Sequence, residues 1–237
     1  MISNLEFDSN LFELKVGKLE IRNDNFLADK KELIKYDLVY VFSDKRIDFL
    51  DNNLVDIKLT FELNLNKYKT EIEINKQISE YNIEKHDFNS LKRLAFLSGT
   101  YSRFKLDDNL PSNSFYDLYS MWIKKSIHLE YSDKVFVYTS PIQEDKVIGF
   151  VSVKIEVDIG IIGLIAVDND HQGLGVGKSL LNNLLIYLKK RNIQLLKVST
   201  QVKNTDAISF YNNYCFEESS RKYIYHLWPK KSHLINQ

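Results

Sequence analysis

Residues 159–178 read Ile159-Gly160-Ile161-Ile162-Gly163-Leu164-Ile165-Ala166-Val167-Asp168-Asn169-Asp170-His171-Gln172-Gly173-Leu174-Gly175-Val176-Gly177-Lys178. The first nine are too apolar to sit half exposed on a sheet, so they predict a central strand. The last seven hold three of the chain's eight glycines. From residue 179 to 191 apolar side chains return at helical spacing, predicting a helix that opens at the glycines. Glycine lets the backbone turn tightly and lets N–H groups approach a ligand closely. The following helix adds unpaired N–H groups and the positive end of its dipole. Strand, glycine turn and helix N-terminus together make an anion site suited to a pyrophosphate.

Two nucleotide-binding motifs compete for this loop, and neither fits. A Walker loop could end at Gly177-Lys178-Ser179, but Gln172 stands where its first glycine belongs. The dinucleotide fingerprint starts at Gly173-Leu174-Gly175 and then meets Lys178 in place of a third small residue. It also needs an early βαβ unit with a later acid.

Working outward, residues 134–138 and 147–157 predict a hairpin around residues 141–146. Downstream, residues 195–200 predict a buried strand and residues 205–214 a helix capped by Asn204. Residues 215–220 and 222–228 predict a closing strand pair, giving the order β-β-β-loop-α-β-α-β-β from residue 134. Upstream, residues 11–22 and 38–42 predict strands, 27–35 a helix-compatible stretch and 45–52 a helical turn or two. Val55, Ile57, Leu59, Phe61, Leu63 and Leu65 alternate with Asp56, Lys58, Thr60, Glu62 and Asn64. That is a half-buried strand with Asp56 and Glu62 on its polar face. Residues 66–90 read as a linker and 91–97 as a short helix. Ser114 then opens a helix whose Phe115, Leu118, Tyr119, Trp122 and Ile123 form a core stripe.

Lys and Arg together number 32, as do Asp and Glu, so the net charge is zero. That argues against nucleic-acid binding, which needs a basic footprint. No window approaches the roughly 18 uninterrupted apolar residues of a membrane span, and residues 1–16 lack the apolar core of a signal peptide. The expected place is the cytoplasm, with no membrane partner. The one cysteine, Cys215, excludes an internal disulfide and reads as a buried thiol. The five histidines share no metal-ligand spacing, so no metal is expected.

Gln172-x-x-Gly175-x-Gly177 resembles the Q-x-x-G-x-G acyl-CoA loop of the GNAT acetyltransferases, placed between strand and helix as in that family. The resemblance implies a mixed, mostly antiparallel sheet flanked by helices, with acetyl-CoA as donor. It implies that backbone groups of Gly173, Leu174, Gly175, Val176, Gly177 and Lys178 hold the CoA pyrophosphate, with Gln172 at the mouth of the loop. Ile165, Ala166 and Val167 would pair with the pantetheine arm. Asn204-Thr205-Asp206-Ala207-Ile208-Ser209-Phe210-Tyr211 resembles the family's N-x-x-A-x-x-x-Y segment. There Asn204 would touch the cofactor and Tyr211 would protonate the departing thiolate; the bland reading is a helix cap and a core aromatic. Phe210 stands at a cofactor-side position where a basic residue is expected, so that contact is either lost or replaced by Lys203 or Lys178.

A closer resemblance runs along roughly 200 residues to the TDP-fucosamine acetyltransferases. It rests on Phe7-Asp8-Ser9-Asn10-Leu11-Phe12, on Leu54-Val55-Asp56, on Ser102-Arg103-Phe104 with Phe115, Tyr119, Trp122 and Ile123, and on Val198-Ser199-Thr200-Gln201 before Asn204. It implies a nucleotide-linked amino-dideoxy sugar as acceptor, with Asp8, Arg103 and Phe104 at the substrate. Asp56 is the expected general base, and Glu62 is the alternative. Arg103 suits a diphosphate because its planar fork binds two oxygens at once. The expected organisation is an N-terminal α/β portion over residues 1–89 that helps form the acceptor site, and a GNAT domain over residues 90–237. Partners are small molecules, with a homodimer as the further assembly considered. Two other readings stay open: a GNAT enzyme for a peptide, protein or small amine, and a non-catalytic acyl-CoA-binding protein.

Overall fold

In a computed structural model, residues 1–21, 29–68 and 75–231 are described. The elements are β1 (Ser3–Asn4), α1 (Glu6–Phe12), β2 (Val16–Ile21), α2 (Lys30–Leu33), β3 (Leu38–Ser43), a 3₁₀ turn (Asp48–Asn53), β4 (Leu54–Asn64) and β5 (Ile78–Glu80). There follow α3 (Phe88–Ser98), α4 (Arg103–Leu106), α5 (Ser114–Ile127), β6 (Lys134–Thr139), β7 (Val147–Glu156) and β8 (Ile159–Val167). A 3₁₀ turn (Asn169–His171), α6 (Val176–Lys189), β9 (Leu195–Gln201), α7 (Thr205–Asn213) and β10 (Glu217–Leu227) complete the described residues.

The ten strands form one sheet in the order β1-β2-β3-β10-β4-β9-β8-β7-β6-β5. Among the described residues only β2–β3 and β8–β9 pair in parallel. Helices α6 and α7 cover one face, where Leu180, Leu184 and Leu188 meet Leu59, Phe61, Leu63 and Ile162. On the other face α1, α3 and α5 bury Phe12, Leu91, Leu94, Phe115 and Ile123 against Leu38, Val137 and Phe150. Each apolar side chain of this kind contributes about 1.5–3 kcal/mol when fully buried. The expected α/β architecture, a mixed and mostly antiparallel sheet flanked by helices, is the one formed.

The boundary drawn near residue 89 divides the chain but not the sheet. Strand β4 lies between β9 and β10, and β5 closes the opposite edge against β6. The N-terminal portion therefore supplies strands to both ends of one sheet and shares its core with α3 and α5. This insertion also explains a difference from the expected closing strand pair. The slot beside residues 217–227 is filled by β4, so that segment runs as one strand, with a register shift between Glu218 and Ser220. Residues 6–12, partly read as strand, are helical, and the Ser9 hydroxyl donates to Leu5 O at 2.6 Å. Cys215 is exposed, since it takes a left-handed φ of 60° just past α7 and turns outward. The expected helix-compatible stretch at 27–35 lies partly outside the described residues, as does part of the linker read over 66–90. No described helix is long and apolar enough to cross a membrane.

Candidate active site

Strands β8 and β9 start as a parallel pair and then part. Their ladder runs from Ile159↔Leu195 to Ile162↔Val198. Beyond it β9 stays paired with β4 as far as Gln201, while β8 continues to Val167 against β7 alone. The cause is a register shift in β8 opposite Ser152, between Val151↔Ile165 and Val153↔Ile162. The Ser152 hydroxyl fills the gap, accepting from Leu164 N at 2.9 Å and donating to Leu164 O at 3.4 Å. The result is a wedge whose β8 side, including Ile165, Ala166 and Val167, has backbone free of the β9 ladder. In open sheets ligands bind outside the carboxyl ends of parallel strands where they separate.

The glycine loop sits at the mouth of this wedge. Gly173 and Gly175 take φ values of 74° and 82°, and nothing lies within 4 Å of where a side chain would start on either. Helix α6 opens at Gly175 with no side-chain cap and no acid in its first turn, so its leading N–H groups face open space. Leu174 and Lys178 are exposed. Gln172 braces the turn from within, donating from Nε2 to Val167 O at 3.1 Å and to Asn169 Oδ1 at 3.2 Å. Asp168, read as facing solvent or capping the loop, is buried and caps the 3₁₀ turn through Asp170 N at 3.1 Å. It also pairs with Arg93 of α3. Burial alone would raise its carboxyl, but Arg93 and the turn N–H hold it below the usual range.

Across the wedge, α7 starts at Asn204, whose Oδ1 accepts from Ala207 N at 3.2 Å, the capping role. A side chain at Gly177 would meet Phe210 at 3.4 Å and Val167 at 3.6 Å, so β8, α6 and α7 converge at one point of the mouth. Phe210 thus lies beside the loop, as an apolar wall. Tyr211 is buried among Phe61, Phe210 and Phe216, with centroids 5.8, 5.6 and 5.4 Å away. Burial raises its phenol well above the ordinary range.

On the opposite face, cross-strand register brings polar residues together. One row runs Lys18–Tyr40–His226 and the next Glu20–Phe42–Ile224–Asp56. Asp56 lies beside the carboxyl end of β9, where Val202 N donates to Ile57 O at 2.8 Å. It is buried, and burial pushes its carboxyl up to about 6 against the opposing pull of Arg103, the Ile57 N–H, Lys58 and Lys203. Lys58 reaches solvent yet lies deep enough for burial, then Arg103, to lower its ammonium. Burial likewise raises Asp8, opposed by Arg103 and Tyr40. Glu62, the alternative base, is tied to Lys197 at 2.8 Å, which lowers it.

Arg103 stands at the centre of this face. Its guanidinium lies 4.2 Å from the Phe104 centroid, 5.0 Å from Tyr40 and 5.8 Å from Phe42. Its Nε is buried without a hydrogen-bond partner. A cation held by three rings and an unpaired donor is poised for an anion. Asp8, Asp56 and Phe104 are therefore brought together around Arg103. Sequence reasoning missed Tyr40, Lys58, Asp107 and His226. Only the alternation around Lys58 carried a signal, since Tyr40 sits in an apolar strand and His226 at the buried end of β10. Among the described residues no three His, Cys, Asp or Glu side chains cluster as a metal site.

Residues 104–215 match the Acetyltransferase (GNAT) family. The spore coat polysaccharide biosynthesis protein SpsD of Bacillus subtilis is 26% identical over 148 residues, 62% of this chain and 50% of that protein. The [ribosomal protein bS18]-alanine N-acetyltransferase of Escherichia coli is 31% identical over 84 residues, 35% of this chain and 57% of that protein. The chain thus spans about half the length of these relatives. The PaiA N-acetyltransferase of Thermoplasma acidophilum, solved with coenzyme A, superposes with a TM-score of 0.50 at 19% identity, over 66% of this chain and 98% of that one. With its parted parallel strands and glycine loop at their mouth, this chain has the fold of the GNAT acetyltransferases, and residues 104–215 carry that family's sequence signature.

Proposed function

We propose that the chain is an acetyl-CoA-dependent N-acetyltransferase whose acceptor is the amine of a nucleotide-linked amino-dideoxy sugar, working in the cytoplasm. The observation that carries the acceptor is Arg103, ring-held and without an ion pair among the described residues, beside buried Asp56 on the face away from α6. An acceptor anchored by a diphosphate would complete Arg103 and bring its amine toward Asp56. The polysaccharide role named for SpsD supports a sugar. The donor fits the open loop: the N–H groups from residue 174 to 178 suit its pyrophosphate, and the unpaired edge of residues 165–167 suits an amide-rich arm.

In this reading the neutral amine attacks the thioester carbonyl and forms the C–N bond. Asp56, near pH 6 in its titration, accepts the amine proton directly or through water. Backbone N–H groups of the parted β8 edge stabilise the oxyanion. The C–S bond then breaks, and Tyr211 supplies a proton or hydrogen bond to the sulfur. The test is thiol release with acetyl-CoA against a panel of uridine- and thymidine-diphosphate amino sugars, polyamines and N-terminal peptides. Turnover on the nucleotide sugars is expected. Turnover on peptides alone would favour the second reading, which rests on the 31% identity to an alanine N-acetyltransferase.

A further inference from the structure

Beneath Arg103 lies a buried hydrogen-bond cluster that no step above uses. The Asp107 Oδ2 accepts from His226 Nδ1 at 2.5 Å and from Trp228 Nε1 at 3.0 Å, while Oδ1 accepts from Asn109 N at 3.0 Å and from Asn109 Nδ2 at 3.2 Å. Asp107 ends α4, a helix of only four residues, and its own N–H donates to Arg103 O at 3.0 Å. So short a helix cannot hold itself, because nucleation costs more than one turn returns. Its start is fixed by Ser102, whose hydroxyl accepts from Phe104 N at 3.3 Å. Its end is fixed by the Asp107 carboxylate, anchored to β10 and the residue that follows it. The imidazole also stacks on Tyr40 at 4.7 Å, and Tyr40 is one of the three rings around the guanidinium. Two routes, one through backbone and one through a ring, thus lead from His226 to Arg103.

We propose that Asp107 and His226 are positioning residues for Arg103: their bond locks α4 to the end of β10 and so sets where the guanidinium meets an anionic acceptor. The acceptor half of this statement rests on the proposed function, whereas the locking half does not. With the bond gone, the Asp107 carboxylate keeps Trp228 and Asn109 but loses its tie to β10, and Arg103 and Phe104 move more freely against the sheet. The cofactor loop lies at the other side of the wedge and is unaffected.

The test uses the full chain and two readouts. Phenylglyoxal modification is followed by peptide mass at Arg103, with exposed Arg46 and Arg221 as internal references. His226→Phe keeps a ring against Tyr40 but removes the donor; His226→Asn restores a donor near the Nδ1 position; Asp107→Ala removes the anchor. Arg103 is expected to react about tenfold faster in His226→Phe and Asp107→Ala, and near the wild-type rate in His226→Asn. Uridine diphosphate, titrated in parallel, is expected to bind about tenfold more weakly in the first two, about 1.4 kcal/mol, with the acetyl-CoA thermal shift unchanged. An unchanged Arg103 rate in His226→Phe, or His226→Asn reacting as fast as His226→Phe, overturns the proposal. So does acceleration of all three arginines together, the mark of general loosening. If the wild type binds no nucleoside diphosphate while Arg103 accelerates as expected, the locking role stands and the acceptor assignment fails.

Discussion

The imidazole of His226 and the carboxylate of Asp107 meet at 2.5 Å where neither side chain is more than 4% exposed. Burial drives the imidazolium down to about 4, with the Asp107 bond opposing and Arg103 assisting. Burial would raise Asp107, but His226, the Asn109 N–H and Trp228 hold it below the usual range. The unfolded chain thus binds a proton at this histidine near its ordinary value of about 6.5, while the folded chain does not until about pH 4.

Stability should therefore fall as pH drops from 6.5 to 4, by an amount of the order of 3 kcal/mol from this histidine, and further below about 3.8 as Asp107 protonates. Asp56 acts in the opposite sense. Held at about 6, it takes up a proton more readily when folded, so acidification favours the fold there. The two effects span nearly the same pH range with about equal size, so denaturant midpoints should change little in the wild type and fall clearly in Asp56→Asn. A flat profile in both would remove His226 from the account.

The same Asp56 should govern catalysis from the alkaline side of its titration. The profile of kcat/KM against pH should rise with an apparent pKa of about 6, set chiefly by burial. Asp56→Asn should lower turnover by roughly 10²–10⁴-fold, the usual range for a positioned base, and erase that limb. Glu62→Gln should change little, because Glu62 is already spent on Lys197. A rising limb that survives Asp56→Asn assigns the base elsewhere.

Much of this site was legible in the sequence because its signals are local. Three glycines between an apolar strand and a helical pattern place the loop, and period-two alternation places Asp56 on a polar face. What covers that polar face is not local, since nothing in the alternation says that α4 packs against β4. The pairing of β4 with β9 joins Thr60 to Ser199, and no periodicity specifies so distant a partner. Tyr40 carries its hydroxyl inside an apolar strand and His226 its ring at the buried end of β10, and only the register that stacks them reveals a shared role. Arg93 lies within the stretch read as a short helix, and only the fold sets it against Asp168.

Gly175 separates loop geometry from side-chain chemistry. At φ 82° a β-branched residue is strained by about 1–2 kcal/mol, although the space around it is open. Gly175→Val should therefore still fold, somewhat less stably, while its turn no longer presents the α6 N–H groups. Acetyl-CoA at 100 times its dissociation constant should stabilise the wild type by about 2.7 kcal/mol. That thermal shift should vanish in Gly175→Val. A wild type with no shift up to millimolar acetyl-CoA would remove the donor assignment altogether.

Tyr211 poses the sharpest choice, because its ring is packed like a core residue while the proposed mechanism gives it the acid's role. A free thiol titrates at about 8.5 and a free tyrosine at about 10, and burial raises Tyr211 further. Full proton transfer to the sulfur is thus uphill, and a strong hydrogen bond to the developing thiolate is the contribution this environment favours. Tyr211→Phe removes only the hydroxyl, so the contacts with Phe61, Phe210 and Phe216 persist and the acetyl-CoA thermal shift should stay at the wild-type value. Turnover should fall by roughly 10²–10⁴-fold, about 3–5 kcal/mol of barrier, with little change in acceptor KM. The loss should be smaller with a donor whose leaving thiol is more acidic, since a weaker base needs less assistance. Turnover within about threefold of the wild type, too little for a lost acid, would leave Tyr211 a core aromatic and send the search for the acid to the other side of the wedge.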